Sequence, residues 1–168
     1  MLRWLPCLFL ITCLSACSSG PAHWTYQYQR GKTATLRGPY AVPPPNLPRR
    51  IQGALHAGNS ISDKPYRYGG GHRSFSDVGY DCSGAVSYVL RGAGLINRPG
   101  TSESLRRYGA AGRGKYITVY SKPGHCFIEV AGLRFDTGYT GHGSGTGPRW
   151  TTRPRPLRGF KARHPPGW

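Results

Sequence analysis

The chain has 168 residues, room for one domain and not comfortably for two. Its 23 Lys and Arg stand against 6 Asp and Glu, a net charge of +17 with the His neutral, yet only 17% of residues are charged; this excludes the mixed-charge surface of an ordinary cytosolic enzyme and favours acidic partners. Gly (25) and Pro (15) approach a disordered composition, but 38% hydrophobic and 12% aromatic residues suffice for a small core, so one modest globular domain with unstructured flanks is expected.

Residues 1–16 read as an export signal. Arg3 gives the positive start, and Leu5 to Leu14 is an apolar run of about ten residues, against the roughly 20 needed to span a bilayer as a helix. Leu14-Ser15-Ala16-Cys17 resembles a bacterial lipobox. That resemblance implies cleavage before Cys17 and acylation of its thiol and new amino group; an ordinary signal cut nearby, with Cys17 incidental, is the plainer alternative. Ser18, in place of Asp, then implies the outer membrane as the anchoring partner, facing the periplasm. Each buried methylene of the acyl chains would contribute about 0.8 kcal/mol to anchoring. With Cys7 and Cys13 removed and Cys17 acylated, Cys82 and Cys126 remain as thiols, enough for one bridge at most. A free thiol in an oxidising compartment invites a catalytic explanation.

Residues 17–48 show little periodicity and end in Pro43-Pro44-Pro45, so they are expected to form a flexible linker with a semi-rigid polyproline end. A domain over 49–168 follows. Ile51, Ala54 and Leu55 share one face of a short first helix, which Lys64-Pro65 and the glycines 69–71 terminate. Asp81 is a good N-cap for a second helix carrying Ala85, Val86, Val89 and Leu90 until Gly92 and Gly94 close it. Thr101 or Ser102 starts a third, with Leu105 and Tyr108. After Gly114 the period changes to strands over 116–120, 125–131 and 133–137. Helices followed by an antiparallel meander make the class α+β. Beyond Gly138 the chain is Gly-rich, then basic and Pro-rich.

Cys82 falls on the first helical position, where free N–H groups and the helix dipole favour a thiolate. A cysteine there is more often a small buried residue; what raises the catalytic reading is a partner. If Ala131-Gly132 form a two-residue turn, Val130 faces Leu133 and Ile128 faces Phe135. Alternation then sets Cys126, Ile128, Val130, Leu133, Phe135 and Thr137 on an apolar face, which should pack on the helices, and His125, Phe127, Glu129, Arg134 and Asp136 on the other. Glu129 and Arg134 pair directly, and Asp136 is the diagonal neighbour of His125, close enough to orient it as a base for Cys82. A three-residue turn would put Asp136 on the wrong face. His125 as a surface residue and Asp136 as a turn cap remain open alternatives, and Cys126 reads as core. No C-x-x-C or H-x-x-x-H pair favours zinc, and no cofactor is expected.

Pro65-Tyr66-Arg67-Tyr68-Gly69-Gly70, Tyr80-Asp81-Cys82-Ser83-Gly84-Ala85-Val86 and Gly124-His125 together resemble the NlpC/P60 family of papain-like peptidoglycan cysteine peptidases. The resemblance covers roughly residues 50–140. It implies a papain-like fold with N-terminal helices packed on an antiparallel sheet. It also implies Cys82 as nucleophile, His125 as base, Asp136 as the orienting residue, Tyr66 near the oxyanion, Asp81 and Ser83 as substrate contacts, and a stem-peptide amide as the bond cleaved. Two departures stand out: the stretch from Tyr66 to Cys82 is lengthened through Gly71-His72-Arg73-Ser74-Phe75, and Asp is unusual at the third catalytic position.

Two competing readings are a non-catalytic lipoprotein that binds the anionic wall and a papain-like acyltransferase or amidase. Nucleic acid is not an expected partner, because an exported chain without a recognisable nucleic-acid motif has no genomic role. No acidic residue follows Asp136, while Arg149, Arg153, Arg155, Arg158, Lys161 and Arg163 crowd the end. These are expected to form a tail that is either merely solvated or holds peptidoglycan, so that deleting 149–168 would weaken wall binding more than turnover of small substrates.

Overall fold

The computed structural model describes residues 22–138 and 146–168; the export signal and Cys17 lie outside the described residues. In chain order the elements are β1 (His23–Trp24), β2 (Thr35–Arg37), β3 (Tyr40–Val42), α1 (Arg49–Ile61), α2 (Cys82–Gly92), α3 (Ser102–Leu105), β4 (Ala110–Ala111), β5 (Ile117–Lys122), β6 (His125–Val130), β7 (Leu133–Asp136), β8 (Arg149–Thr151), β9 (Arg155–Pro156) and β10 (Lys161–His164). Helices precede an antiparallel six-stranded sheet of order β4-β10-β5-β6-β7-β8, an α+β arrangement. α2 begins where the sequence places it: Asp81 caps it by accepting from the Gly84 N–H at 2.8 Å. Thr101 and Ser104 form a capping box on α3.

The β6–β7 turn has two residues, and both Ala131 (φ 46°) and Gly132 (φ 79°) are left-handed, as a type I′ hairpin requires. The Ala131 N–H donates to the Tyr116 carbonyl and its carbonyl accepts from the Ala34 N–H, each at 2.8 Å, which offsets the cost of that backbone at a non-glycine residue. The register is Ile128 to Phe135, Glu129 to Arg134 and Val130 to Leu133. Cys126, Ile128, Val130, Leu133 and Phe135 accordingly join one buried cluster with Ile51 and Leu55 of α1 and Val86, Val89 and Leu90 of α2. Phe127 faces the other way, into a smaller cluster with Trp24 and Tyr120.

Two expectations are corrected. Residues 22–48 are built into the domain. Trp24 is 2% exposed and donates through Nε1 to Glu129, β1 pairs with β9, and the Asn59 side chain bonds both the N–H (2.8 Å) and the carbonyl (2.9 Å) of Ala41 in the β2–β3 hairpin. These strands are short and held by backbone and single-residue contacts, so no hydrophobic period announces them. The basic end is likewise not a tail. β8 pairs with β7, and β10 lies between β4 and β5. Arg163 donates to the carbonyls of Tyr108 (2.8 Å) and Gly109 (2.6 Å), so its charge serves to hold backbone.

Candidate active site

α2, β6 and β7 converge on Cys82. A glycine strap, 69–71, crosses the first turn of α2 so closely that a Cβ at Gly84 would run into the Gly70 carbonyl, which explains a glycine two residues after the cysteine. The strap, the helix start, Tyr66 and the β5–β6 turn at Gly124 enclose a cleft of about 350 Å³ lined also by Tyr68, His72, Asp81, Cys82, Ser83, Thr101 and Ser102. The cysteine is 9% exposed at its floor.

His125, at the start of β6, is hydrogen-bonded to Cys82 on one side. On the other its Nε2–H donates to Asp136 Oδ1 at 2.9 Å, which leaves Nδ1 for the sulfur. Asp136 is buried, and its second oxygen accepts from Arg134 Nη1 and from Arg155 Nη1, both at 2.8 Å. The two guanidiniums fix the carboxylate so that Oδ1 alone addresses the imidazole. Arg134 is fully buried, stacked over the rings of Trp24 and Phe127; Arg155 lies over Phe127 and Phe160.

The electrostatics follow from these contacts. The Cys82 thiol is lowered to about 5: the Cys126 thiol donates to it, burial opposes the charge, and the His125 side chain and the Cys126 N–H favour the thiolate. His125 is raised to about 9, because burial is outweighed by its hydrogen bonds to Asp136 and Cys82 and by their negative charge. Burial pushes the Cys126 thiol well above the ordinary thiol range, and the neighbouring Cys82 thiolate pushes it further. At neutral pH the pair is therefore thiolate and imidazolium, ready for nucleophilic attack and for protonating a leaving group. Among the described residues no cluster of three or more His, Cys, Asp or Glu is arranged to hold a metal ion.

The chain carries an NlpC/P60 family match over residues 63–125. NlpC/P60 proteins are in general cysteine peptidases that act on peptidoglycan of the cell wall. The matched stretch contains Tyr66, Asp81, Cys82 and Ser83 and ends on His125; Asp136 lies beyond it. No curated protein and no solved structure matches the chain.

Within the NlpC/P60 segment, Tyr66 lines the Cys82 cleft and its hydroxyl is raised by burial and by the nearby Cys82. Asp81 and Ser83 also line it, yet their polar atoms are engaged internally. Asp81 accepts from the N–H groups of Gly69 and Gly84 and from Ser83 Oγ, and His72 Nε2 lies 2.9 and 3.0 Å from its two oxygens. His72 thus gives the lengthened loop a function in closing this side of the cleft. Three contributors were not read as functional from sequence. Arg134 was accessible, since it lies two residues before Asp136 on one strand face. Cys126 was placed on the helix-facing side but not connected with Cys82, towards which that face points at the strand's end. Arg155 carried no signal, being 19 residues from Asp136 with β8 between.

Proposed function

We propose that the protein is a cysteine peptidase that hydrolyses an amide bond in peptidoglycan stem peptides. The observation that carries the reading is the convergence of Cys82 with His125 at one end of the cleft, the imidazole being bonded to Asp136 at 2.9 Å and favouring the Cys82 thiolate. Cys82 Sγ attacks the carbonyl carbon, and the oxyanion is stabilised by the Cys82 N–H, which has no helical partner at this position, and by the Tyr66 hydroxyl. His125 passes its Nδ1 proton to the departing amine, breaking the C–N bond and leaving a thioester. Water, deprotonated by the same nitrogen, then releases the acid and regenerates the thiolate. Asp136 holds the imidazole orientation throughout. The helices and antiparallel sheet serve this chemistry as a papain-like arrangement, with Cys82 and His125 on separate layers.

We further infer that the enzyme works at the wall while tethered through an acylated Cys17 to the outer membrane; loss of lipid labelling in Cys17→Ala is the expected result, and retained labelling would refute the anchor. For the chemistry, Cys82→Ala should abolish cleavage of defined muropeptides while the thermal transition stays cooperative, and an active variant would exclude the mechanism. Mass spectrometry of the products distinguishes free acid from a transferred acyl group.

A further inference from the structure

A second cleft is larger than the one that holds Cys82. It has a volume of about 580 Å³ and lies at the opposite end of β6, between the segment 25–33, the β4–β5 connection and the β6–β7 turn. Glu129 follows His125 by four residue steps, so the two sites are on the order of 13 Å apart along β6. Three cations line this cleft: Lys32, Arg113 and Lys115. Its single lining acid, Glu129, has its oxygens occupied by Arg113 Nη2 (2.9 and 3.1 Å), Trp24 Nε1 (3.0 Å) and the Tyr120 hydroxyl (3.2 Å). Glu129 therefore fixes the half-exposed Arg113 without neutralising the other two. Lys32 and Lys115 are exposed and in no ion pair among the described residues; Lys115 Nζ rests over the Tyr116 ring at 5.0 Å. Of the neutral side chains in the lining, the Thr33 hydroxyl is engaged with the Gln27 carbonyl and the Gln29 N–H, and Thr25, Gln27 and Gln29 supply groups that both donate and accept.

We propose that this cleft binds a carboxylate-bearing saccharide, a peptide-free stretch of the sugar strand of the wall polymer, where the lactyl carboxyl is no longer held in an amide, next to the peptide-bearing stretch that the Cys82 cleft would cut. Uncompensated cations select negative charge, and amides and hydroxyls suit sugar hydroxyl and acetamido groups. The volume accommodates a short oligosaccharide and exceeds what a single small anion needs. The proposal rests on the peptidase reading for the identity of the polymer, and binding can be measured without catalysis.

The experiment titrates the full chain carrying Cys82→Ala with peptide-free glycan strands that bear free lactyl carboxylates, with the same strands blocked as methylamides, and with polyphosphate of matched charge. Adding Lys32→Ala and Lys115→Ala removes two ammonium groups from the cleft and should weaken binding of the free-acid strands by about tenfold or more and flatten its salt dependence. In the Cys82 background the same two substitutions should leave cleavage of a small soluble muropeptide unchanged, which also shows that the variant is folded. Equal affinity of parent and double variant, equal binding of blocked strands, or polyphosphate binding as tightly as the strands would each overturn the proposal. If the protein with Cys82 intact showed no peptidase activity while the Cys82→Ala chain still bound the strands through these lysines, the peptidase reading would be refuted and the saccharide site left standing.

Discussion

The two faces of the six-stranded sheet are stabilised by different means. The side that shares a cluster with α1 and α2 is apolar: Ile128, Val130, Leu133 and Phe135 are fully buried against aliphatic helix residues, each side chain contributing about 1.5–3 kcal/mol of transfer energy. The opposite side buries Trp24, Tyr120 and Phe127 but also Arg134 and Asp136, whose desolvation is tolerable only because each has partners. The proposed catalytic chain joins both sides. Cys82 and its thiol donor Cys126 belong to the apolar side, His125 and Asp136 to the charged one, and they meet where β6 begins. A low-dielectric floor strengthens the electrostatics of the pair, while the charged face supplies an anion fixed in place by two guanidiniums.

The largest test removes the edge strand β8 and the inner strand β10 of this sheet. Deleting residues 149–168 takes away β8, β10 and Arg155, so the remainder should show no cooperative unfolding transition by near-UV circular dichroism. A folded remainder would restore the solvated-tail picture. Point substitutions then separate the faces. Leu133→Ala should cost about 2–5 kcal/mol in denaturant unfolding yet keep specific activity per folded molecule. Asp136→Ala leaves Arg134 buried without its carboxylate, costs about 3–5 kcal/mol, and should also remove activity. If Asp136→Ala proved no more harmful to stability than an exposed substitution, the charged face would not be the structural element described above.

The pH profile sharpens the same contrast. Cys82 near 5 must be deprotonated and His125 near 9 protonated, so kcat/KM should rise through about 5, hold across neutrality and fall through about 9, as macroscopic values of the pair. For folding the signs are opposite in the two groups. The raised His125 stabilises the native state below its unfolded value near 6.5, an advantage lost as pH rises through 9. The lowered Cys82 stabilises it above 9, an advantage lost as pH falls through 5. Asp136→Asn should pull the alkaline limb downward, because the imidazolium loses its anion while Arg134 and Arg155 remain.

Much of the central architecture was legible in the sequence, because Asp81 as a cap, the β-alternation from 125 to 136 and the Ala131-Gly132 turn are local signals that tertiary structure did not override. One dihedral pair at 131–132 settled which face Asp136 occupies. The segments misread were those stabilised from a distance. Trp24 is buried because Glu129 and Arg134 lie across from it, and Lys161-Ala162-Arg163-His164 is a strand because β4 and β5 flank it. A basic strand with one alanine has no apolar period, and its charges read as a solvated tail until Arg163 is seen holding carbonyls and, on the neighbouring β9, Arg155 holding Asp136. The lengthened loop was visible as a departure, but that His72 folds back onto Asp81 depends on the strap geometry.

The smallest and most discriminating effect is expected at Cys126, which belongs to the core by burial and to the site by its hydrogen bond. If it were only a packing residue, Cys126→Ala would cost a little stability and leave Cys82 chemistry untouched. A hydrogen bond to a charged acceptor contributes about 1.5–3 kcal/mol, equivalent to about one to two units in the pKa of that acceptor. Cys126→Ala should therefore move the midpoint of Cys82 alkylation by iodoacetamide upward from about 5, with Cys126→Ser, which keeps a donor, shifting it less. Activity at neutral pH should fall by no more than about twofold in either variant, since a midpoint raised to about 6 or 7 still leaves at least about half of the sulfur ionised. In the parent protein Cys126 itself should resist alkylation across this range, being buried and held protonated. An unmoved midpoint in Cys126→Ala would mean that His125 and the helix start alone sustain the thiolate, and that the apolar face contributes to the site by shape only.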